Sequence, residues 1–465
     1  MDFQAQPEVY DLLILGSGAG AKLLAWTFAG QGQRVAAVER KYVGGACPNI
    51  ACLPSKNVIH TAQIAHYVRR SEEFGISIDN FRVKMPAVTD RKRRMVQGLV
   101  DTHLALYKQS GSELIMASGR FVGPKLLEAT LTDGTKRLLT GKNVVIGTGT
   151  HAFIEKIPGL ASAQPLTHVE ALELDVVPEH LIVLGAGYVG LEFAQAMRRF
   201  GSKVTIVDRN HNVLHSEDDD TSEGLQNLFQ DEGIELVLNA RIKSISGVSG
   251  QSVRVTLEQD GAEKSLEGTH LLVAAGRVPN TKDIGLELTG VELTERGYIK
   301  VNERLETTAP GIWAVGEVAG SPQFTHISED DFRVVRDNIL GGHRVTTGRQ
   351  VPFCLFTDPE FARIGMTEKE AKAKGIAYRL FKIPMTHMLR ARSLMETRGF
   401  LKCLVECDSD HILGFAAFGV GAGEIMACVQ IAMLGGMHYT ALREAVLAHP
   451  TIPEGLIALF SSAAS

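Results

Sequence analysis

One pattern constrains this chain more than any other. A short apolar strand, a glycine turn, a helix and a second strand ending in an acid are written twice. The first copy is DLLILGSGAGAKLLAWTFAGQGQRVAAVER and the second is HLIVLGAGYVGLEFAQAMRRFGSKVTIVDR, about 170 residues further on. Residues 12–15 read as a buried strand, the glycines turn the chain, a helix runs to about Phe28, and residues 34–38 return as a strand. Each copy is a βαβ unit. Two copies at that separation make two dinucleotide-binding modules rather than a solenoid.

The first fingerprint is Gly16, Gly18, Gly20 and Ala21, with Glu39 ending the second strand. Gly16 allows the tight turn and Gly18 lets backbone approach a pyrophosphate. Ala21 permits close helix–strand packing, and Glu39 can bond ribose hydroxyls. The helix N-terminus adds free N–H groups and a favourable dipole. The second fingerprint is Gly185, Gly187 and Gly190, with Asp208. In both copies the acid lies 23 residues beyond the first glycine (39 − 16 and 208 − 185). Two such sites on one chain point to FAD plus a nicotinamide cofactor, NADH or NADPH.

Short strands ending in glycine follow at 143–150, 270–280 and 311–320. After about residue 343 the texture changes. FLKCLVEC (400–407) and ILGFAAFGV (412–420) alternate like an antiparallel sheet, with helical stretches around 422–436 and 440–447. This reads as a third, α+β domain, and 465 residues at ~150 per domain agree with three.

Charge narrows the function classes. The balance is 48 − 53 = −5, and the pI is near 6.3. That leaves no basic footprint for nucleic acid and no electrostatic case for membrane binding. Residues 12–30 are apolar but hold glycines and Lys22, which argues against a spanning helix. MDFQAQPEVY lacks the basic start of a secretory leader, and only six cysteines occur, so a reducing, cytoplasmic setting is expected. Arg91 to Arg94 (RKRR) read as a solvated helix face, and EDDD at 217–220 as a charged helix start rather than a metal site. No metal site is expected. Met385, His387 and Met388 read as surface or packing residues.

The remaining chemistry sits in GGACPNIACLPSK, residues 44–56. Cys47 and Cys52 are five apart, which on an ideal helix separates them by about 140°. A disulfide needs Cβ atoms about 3.5–4.5 Å apart, so the pair can close only if the first helical turn is distorted. Pro48 suits a helix start, and a cysteine near a helix N-terminus has a lowered pKa and more reactive thiolate. Zinc is disfavoured because no further Cys/His pair stands at ligand spacing. Cys354, Cys403, Cys407 and Cys428 read as structural, with Cys403 and Cys407 on one strand face.

These motifs resemble the flavin-dependent pyridine nucleotide–disulfide oxidoreductases over nearly the whole chain. GGACPNIACLPSK is similar to the family's GGTCxNxGCxPSK, and GAGYVGLEFA to its nicotinamide fingerprint. AAGRVPNT and AVGEVAG resemble its later flavin-associated strands, and AHPTIPEG its HPTxxE motif. The resemblance implies an α/β fold of two Rossmann-like domains plus a C-terminal α+β dimerisation domain. The FAD domain would take residues 1–150 and 278–343, the NAD(P) domain 151–277, and the interface domain 344–465.

It also implies roles. Cys52 becomes the flavin-side thiol and Cys47 the interchange thiol. Lys56 and Glu192 pair beside the flavin, and Tyr188 gates the nicotinamide pocket. His449 serves Cys47 as acid/base, oriented by Glu454, and comes from the other subunit of a homodimer. An imidazole base fixed by a carboxylate suits a thiol nucleophile on chemical grounds too. Gly45, Gly119, Gly149 and Glu317 join the FAD set; Arg209 and Gly276 join the NAD(P) set.

Three departures matter. Glu317 stands where the family usually has Asp, and Ala46 where it has Thr. Asp208 matches NAD-using relatives while Arg209 matches NADP-using ones, so NADH is favoured with some use of both. Residues 323–342 resemble the mercuric-reductase-like branch, which includes a reactive-chlorine-resistance reductase. The SSAAS end lacks the C-terminal cysteine pair of a true mercuric reductase, and no N-terminal metal-binding CxxC module is expected. The expected acceptor is therefore a disulfide or a metal ion. Dihydrolipoamide dehydrogenase activity is the alternative, and a redox-responsive flavin-binding protein with little turnover is a third reading.

Overall fold

The computed structural model describes residues 6–464. The first βαβ unit forms as read, with β1 (Glu8–Leu15), α1 (Ala19–Gly30) and β2 (Val35–Glu39). Ala21, Leu24, Ala25 and Phe28 recur at helical spacing, and all four are buried against the sheet. The chain continues through α2 (Ala46–Asn49), α3 (Cys52–Arg69) and α4 (Met85–Ser110), then β3 (Glu113–Gly123), β4 (Leu126–Leu131), β5 (Lys136–Ile146) and β6 (Thr150–Ala152). The parallel order is β3-β2-β1-β5, and β4 bridges the far ends of β3 and β5 antiparallel. A helix-terminating Gly111 in the left-handed region ends α4.

The second unit repeats the plan. It contains α5 (His168–Ala171), β7 (His180–Leu184), α6 (Tyr188–Phe200), β8 (Lys203–Val207), α7 (Asp219–Asp231) and β9 (Glu235–Val237). The meander β10 (Ala240–Val248), β11 (Ser252–Gln259) and β12 (Ala262–Gly268) follows, then β13 (His270–Val273) and β14 (Arg277–Pro279). Its parallel order is β13-β7-β8-β9, and β14 pairs antiparallel with β6. The chain then returns to the first sheet, where β15 (Ile312–Ala314) lies parallel to β5. After it comes α8 (Thr325–Ile339).

The last third is one antiparallel sheet of β16 (Phe353–Leu355), β17 (Glu360–Gly365), β18 (Tyr378–Pro384), β19 (Phe400–Glu406) and β20 (Ile412–Gly419), in the order β16-β17-β20-β19-β18. The helices α9 (Glu368–Lys374), α10 (Leu389–Ser393), α11 (Ala422–Leu434), α12 (Tyr439–Arg443) and α13 (Gly455–Phe460) surround it. The second helical stretch is shorter than expected, because α12 ends at Arg443.

The structure corrects four readings. The alternation in β19 and β20 does not separate core from solvent, because nearly every residue is buried. Phe400, Ala416 and Phe418 join the core shared with the second nucleotide unit, while Leu401, Cys403, Val405 and Ala417 join the sheet's own core. Lys402 lies on the first of these faces, 1% exposed, bonded to Asp218, Asp220 and Glu368. EDDD is therefore not only a charged helix start: Glu217 and Asp218 are buried, facing Arg363, Lys402 and the first turn of α9. RKRR is not wholly solvated either, since Lys92 is buried and pairs with Glu173. Cys407 lies exposed in the turn after β19, so it shares no strand face with buried Cys403. Met385 and Met388 are packing residues, as read. Among the described residues no helix is long and apolar enough to cross a membrane, and no cluster could hold a metal ion.

Candidate active site

The two fingerprint loops have matching geometry. Gly16 (φ +103°) and Gly185 (φ +109°) each pass the carbonyl of a neighbouring strand end. A Cβ there would lie 2.4 Å from the Gly147 oxygen and 2.6 Å from the Ala274 oxygen. Each turn is then held by its acid. Glu39 accepts the Ser17 N–H at 3.0 Å, and Asp208 accepts the Ala186 N–H at 2.7 Å. Glu39 also accepts from the Ser17 hydroxyl and the Lys41 and Tyr42 N–H groups, while Asp208 takes both donors of Asn210. Arg209 is exposed beside it.

The surrounding glycines leave a cradle. A Cβ on Gly187, Gly149 or Gly276 would meet nothing within 4 Å, and one on Gly18 would only graze the Gly147 oxygen at 3.8 Å. Gly45 crosses Gly18 so closely that its Cβ would be 2.5 Å from the Gly18 Cα. Open space above glycine backbone at a helix N-terminus suits a pyrophosphate, so these residues fit FAD and a nicotinamide dinucleotide. Gly20 and Gly190 are packing positions, the first against Ser328 and the second against the Gly185 carbonyl. Gly119 is one too: a side chain there would strike Leu15 and Val38 in the core. Glu317 accepts from the Thr150 hydroxyl, with Arg277 Nε at 3.4 Å.

The thiol segment resolves the spacing problem raised by its sequence. Cys47 belongs to the short helix α2, and Cys52 is the first residue of α3. Ala51 between them leaves the helical region at φ −133°, ψ −105°, which breaks the turn and lets the sulfurs face each other. Both are free thiols, half-buried. Cys52 is pulled down to about 6, first by the Cys47 thiol and then by the Thr325 hydroxyl and the Lys56 charge, against the cost of burial. Cys47 is pushed up by the same contact and by burial. The two thiols therefore share one proton, and the Lys56 charge favours leaving the thiolate on Cys52.

Lys56 lies one turn beyond Cys52 on α3 and reaches Glu192 of α6 at 2.6 Å, with Glu192 only 6% exposed. Glu192 also accepts the Phe356 N–H at 3.0 Å. Tyr188 opens α6, its hydroxyl buried without a partner and its pKa raised by burial. Its ring meets Phe324 edge-on at 6.2 Å. An orphaned phenol at the nicotinamide fingerprint fits a residue that a bound cofactor would displace or partner.

Thr325 escaped the sequence reading. It is the first residue of α8, and its hydroxyl stands 3.3 Å from Cys52 Sγ. Its signal was available only as a Thr opening a helix inside a stretch already noted for resemblance. Lys22 and His103 were also missed; their side chains meet at 3.0 Å beside the Gly44–Pro48 loop.

The expected acid/base pair forms apart from the thiols. His449 Nδ1 lies 2.9 Å from Glu454 Oε1, across the Pro450–Pro453 turn. His449 is 60% exposed, and among the described residues no hydrogen bond joins it to Cys47. A carboxylate on Nδ1 fixes the tautomer and leaves Nε2 free to take a proton. The arrangement can thus store a thiolate, hold a nucleotide on either side, and offer an outward imidazole to another chain.

Comparisons with known proteins agree with this geometry. The family signature described as pyridine nucleotide-disulphide oxidoreductase matches residues 10–331, and that family's dimerisation domain matches 351–459. The probable pyridine nucleotide-disulfide oxidoreductase RclA of Escherichia coli is 34% identical, covering 97% of this chain and 99% of the relative. A mercuric reductase of Streptomyces lividans is 32% identical over 96% of this chain and 94% of its own. Mitochondrial dihydrolipoyl dehydrogenase 1 of Arabidopsis thaliana is 31% identical over 96% and 89%. A solved Cu(II) complex of the HOCl-induced flavoprotein disulfide reductase RclA from Escherichia coli superposes with a TM-score of 0.88 at 33% identity, covering 98% and 99% of the two chains.

Proposed function

The chain belongs to the pyridine nucleotide-disulphide oxidoreductases, enzymes that use FAD and NAD(P)H, and on that premise we propose that it reduces a metal ion or a disulfide through the Cys47–Cys52 pair. The observation that supports this reading is the Cys47–Cys52 pair at the Ala51 break, with Gly45 crossing the Gly18 turn and the Thr325 hydroxyl 3.3 Å from Cys52 Sγ. FAD, when bound, supplies the two-electron link between nicotinamide and thiols.

Two electrons and one proton, together the equivalent of the nicotinamide hydride, open the Cys47–Cys52 disulfide to a thiolate on Cys52 and a thiol on Cys47. Reclosing the S–S bond releases the Cys47 proton and passes both electrons on: a disulfide acceptor takes them with that proton and one from solvent to give two thiols, and two Cu(II) take one each to give two Cu(I). Thr325 and Lys56 hold the Cys52 charge, and Glu192 keeps Lys56 in place. His449, fixed by Glu454, takes the Cys47 proton from across a dimer interface. The dimerisation domain supports a homodimer. Gly16, Gly18, Glu39, Gly45, Gly149 and Glu317 serve FAD in this reading, while Gly20 and Gly119 act only by letting neighbouring elements pack. Gly185, Gly187, Tyr188, Asp208, Arg209 and Gly276 serve the nicotinamide cofactor, with Gly190 a packing position, and NADH is preferred because Asp208 opposes a 2′-phosphate.

Likeness to RclA and to a mercuric reductase supports the metal-ion arm. The His449–Glu454 pair, suited to thiol–disulfide exchange, supports a lipoyl disulfide as the second reading. The test is NADH- and NADPH-dependent turnover with Cu(II), Hg(II), lipoamide and glutathione disulfide, alongside Cys47→Ser and Cys52→Ser. Turnover with Cu(II) or Hg(II) that both cysteine variants lose is expected. Fast lipoamide turnover with none on metals would hand the chain to the second reading, and activity surviving both substitutions would sink the relay.

A further inference from the structure

Lys22 has an unusual partner. It sits on α1, just past the flavin fingerprint, and its ammonium donates to His103 Nε2 of α4 at 3.0 Å. His103 is neutral: burial and the Lys22 charge bring its pKa down to about 4. Lys22 therefore spends its hydrogen bond on an uncharged ring, and its positive charge is not cancelled. Lys56, half-buried on α3, meets the Glu192 carboxylate instead. Burial lowers the Lys22 pKa, while Cys47 and Glu329 of α8 favour its charged form.

The pair lies against the thiol segment. The His103 ring presses on Gly44 so closely that a Cβ there would be 2.3 Å from Nδ1, and Pro48 abuts the same position. Trp26, one turn along α1, packs on His103 at 5.7 Å, and Lys22 Nζ stands 5.8 Å from the Trp26 ring. The Trp26 indole N–H is buried with no acceptor. Between Lys22 and Cys47 the electrostatic interaction is attractive, in the sense that each favours the other's charged form. Lys22 thus stands beside the thiol segment, hydrogen-bonded to a neutral ring and, among the described residues, in no ion pair with a carboxylate.

We propose that Lys22, oriented by His103, selects the charge of the acceptor, favouring an anionic disulfide or a metal ion held in an anionic complex over a cationic one. This rests on the reading that acceptors are reduced at Cys47. A cation held at a cleft wall raises the local concentration of anions and repels cations, and the effect weakens with salt.

The test uses the FAD-loaded enzyme with NADH and three small disulfides of differing charge: dithiobis(nitrobenzoate), a dianion; dithiodipyridine, neutral; and cystamine, a dication. The quantity read is the ratio of variant to wild-type kcat/KM for each compound, which cancels their differing leaving groups. Lys22→Met should lower kcat/KM for the dianion about tenfold and raise it for cystamine, with the neutral compound changed less than about twofold. Lys22→Arg should keep the wild-type values, and added salt should shrink the Lys22→Met effect. Equal losses for all three in Lys22→Met, or no change in any, would overturn the inference. Reduction that persists in Cys47→Ser would instead overturn the underlying reading, whatever Lys22 does.

Discussion

Replacing Thr325 by valine should raise the pKa of Cys52 by about one unit. The hydroxyl stands 3.3 Å from Cys52 Sγ, and it is one of three groups that favour the thiolate, beside the Cys47 thiol and Lys56. A hydrogen bond to a charged group contributes about 1.5–3 kcal/mol, and each pKa unit corresponds to about 1.4 kcal/mol. The long contact and the partial exposure of the thiols favour the low end, about one unit. The Cys52 midpoint should therefore move from about 6 to about one unit higher. The assay is the ultraviolet absorbance of the thiolate in reduced enzyme across pH, taken as the difference from Cys52→Ser so that the flavin signal cancels. Thr325→Ser, which keeps the hydroxyl, should leave the midpoint in place. Cys47→Ala removes the largest influence and should raise it further than Thr325→Val does. A midpoint that stays put in Thr325→Val would refute the role assigned to the hydroxyl. An equal shift in Thr325→Ser would do the same, since it would point to repacking rather than lost donation.

Mixed dimers offer a second check. If His449 serves the partner's Cys47, co-expressed Cys47→Ser and His449→Gln chains should recover about a quarter of wild-type turnover, because half the dimers then carry one intact site of two; recovery at background level would place the base within one chain. Lys402→Met should destabilise the fold by roughly 3–5 kcal/mol in urea melts, since Asp218, Asp220 and Glu368 would lose their buried counter-charge; a change under about 1 kcal/mol would show that water reaches the cluster. His103 should stay neutral down to about pH 4 by ring NMR. Its pKa is depressed below the unfolded value of about 6.5, so its neutral ring contributes stability fully above that value. That contribution is lost as pH falls through about 4, and a ring titrating near the unfolded value would contradict the Lys22 contact.

The sequence announced the backbone of the site better than its side-chain neighbourhoods. Glycine turns between strand and helix are local, and their acids lie at a fixed reach, so Gly16 with Glu39 and Gly185 with Asp208 could be named in advance. The thiol pair was legible as a motif. Its geometry was not, since the break at Ala51 depends on how α2 and α3 pack on Gly18 and α4. Thr325, Lys22 and His103 come from three separate helices and meet only in three dimensions. The burial of Lys402 was illegible for a related reason. A lysine in a strand marks the wet face when one face is free, but here both faces of β19 are covered, and the lysine is buried because EDDD arrives from the second nucleotide unit to meet it.

One consequence follows from the pairing of β6 with β14. Residues 150–152 and 277–279 are register partners, Ala152 opposite Arg277. The chain therefore leaves the first sheet's unit and re-enters it through a single doorway about 5 Å wide. Everything from 153 to 276 is a detour whose ends are already sewn together. Its loop-closure entropy is met at the seam and does not burden the first sheet. A short turn joining Ala152 to Arg277 should permit removal of the detour without moving β5 or β15. Arg277 also faces Thr150 and Glu317, so the seam is tied to the turn that follows β15.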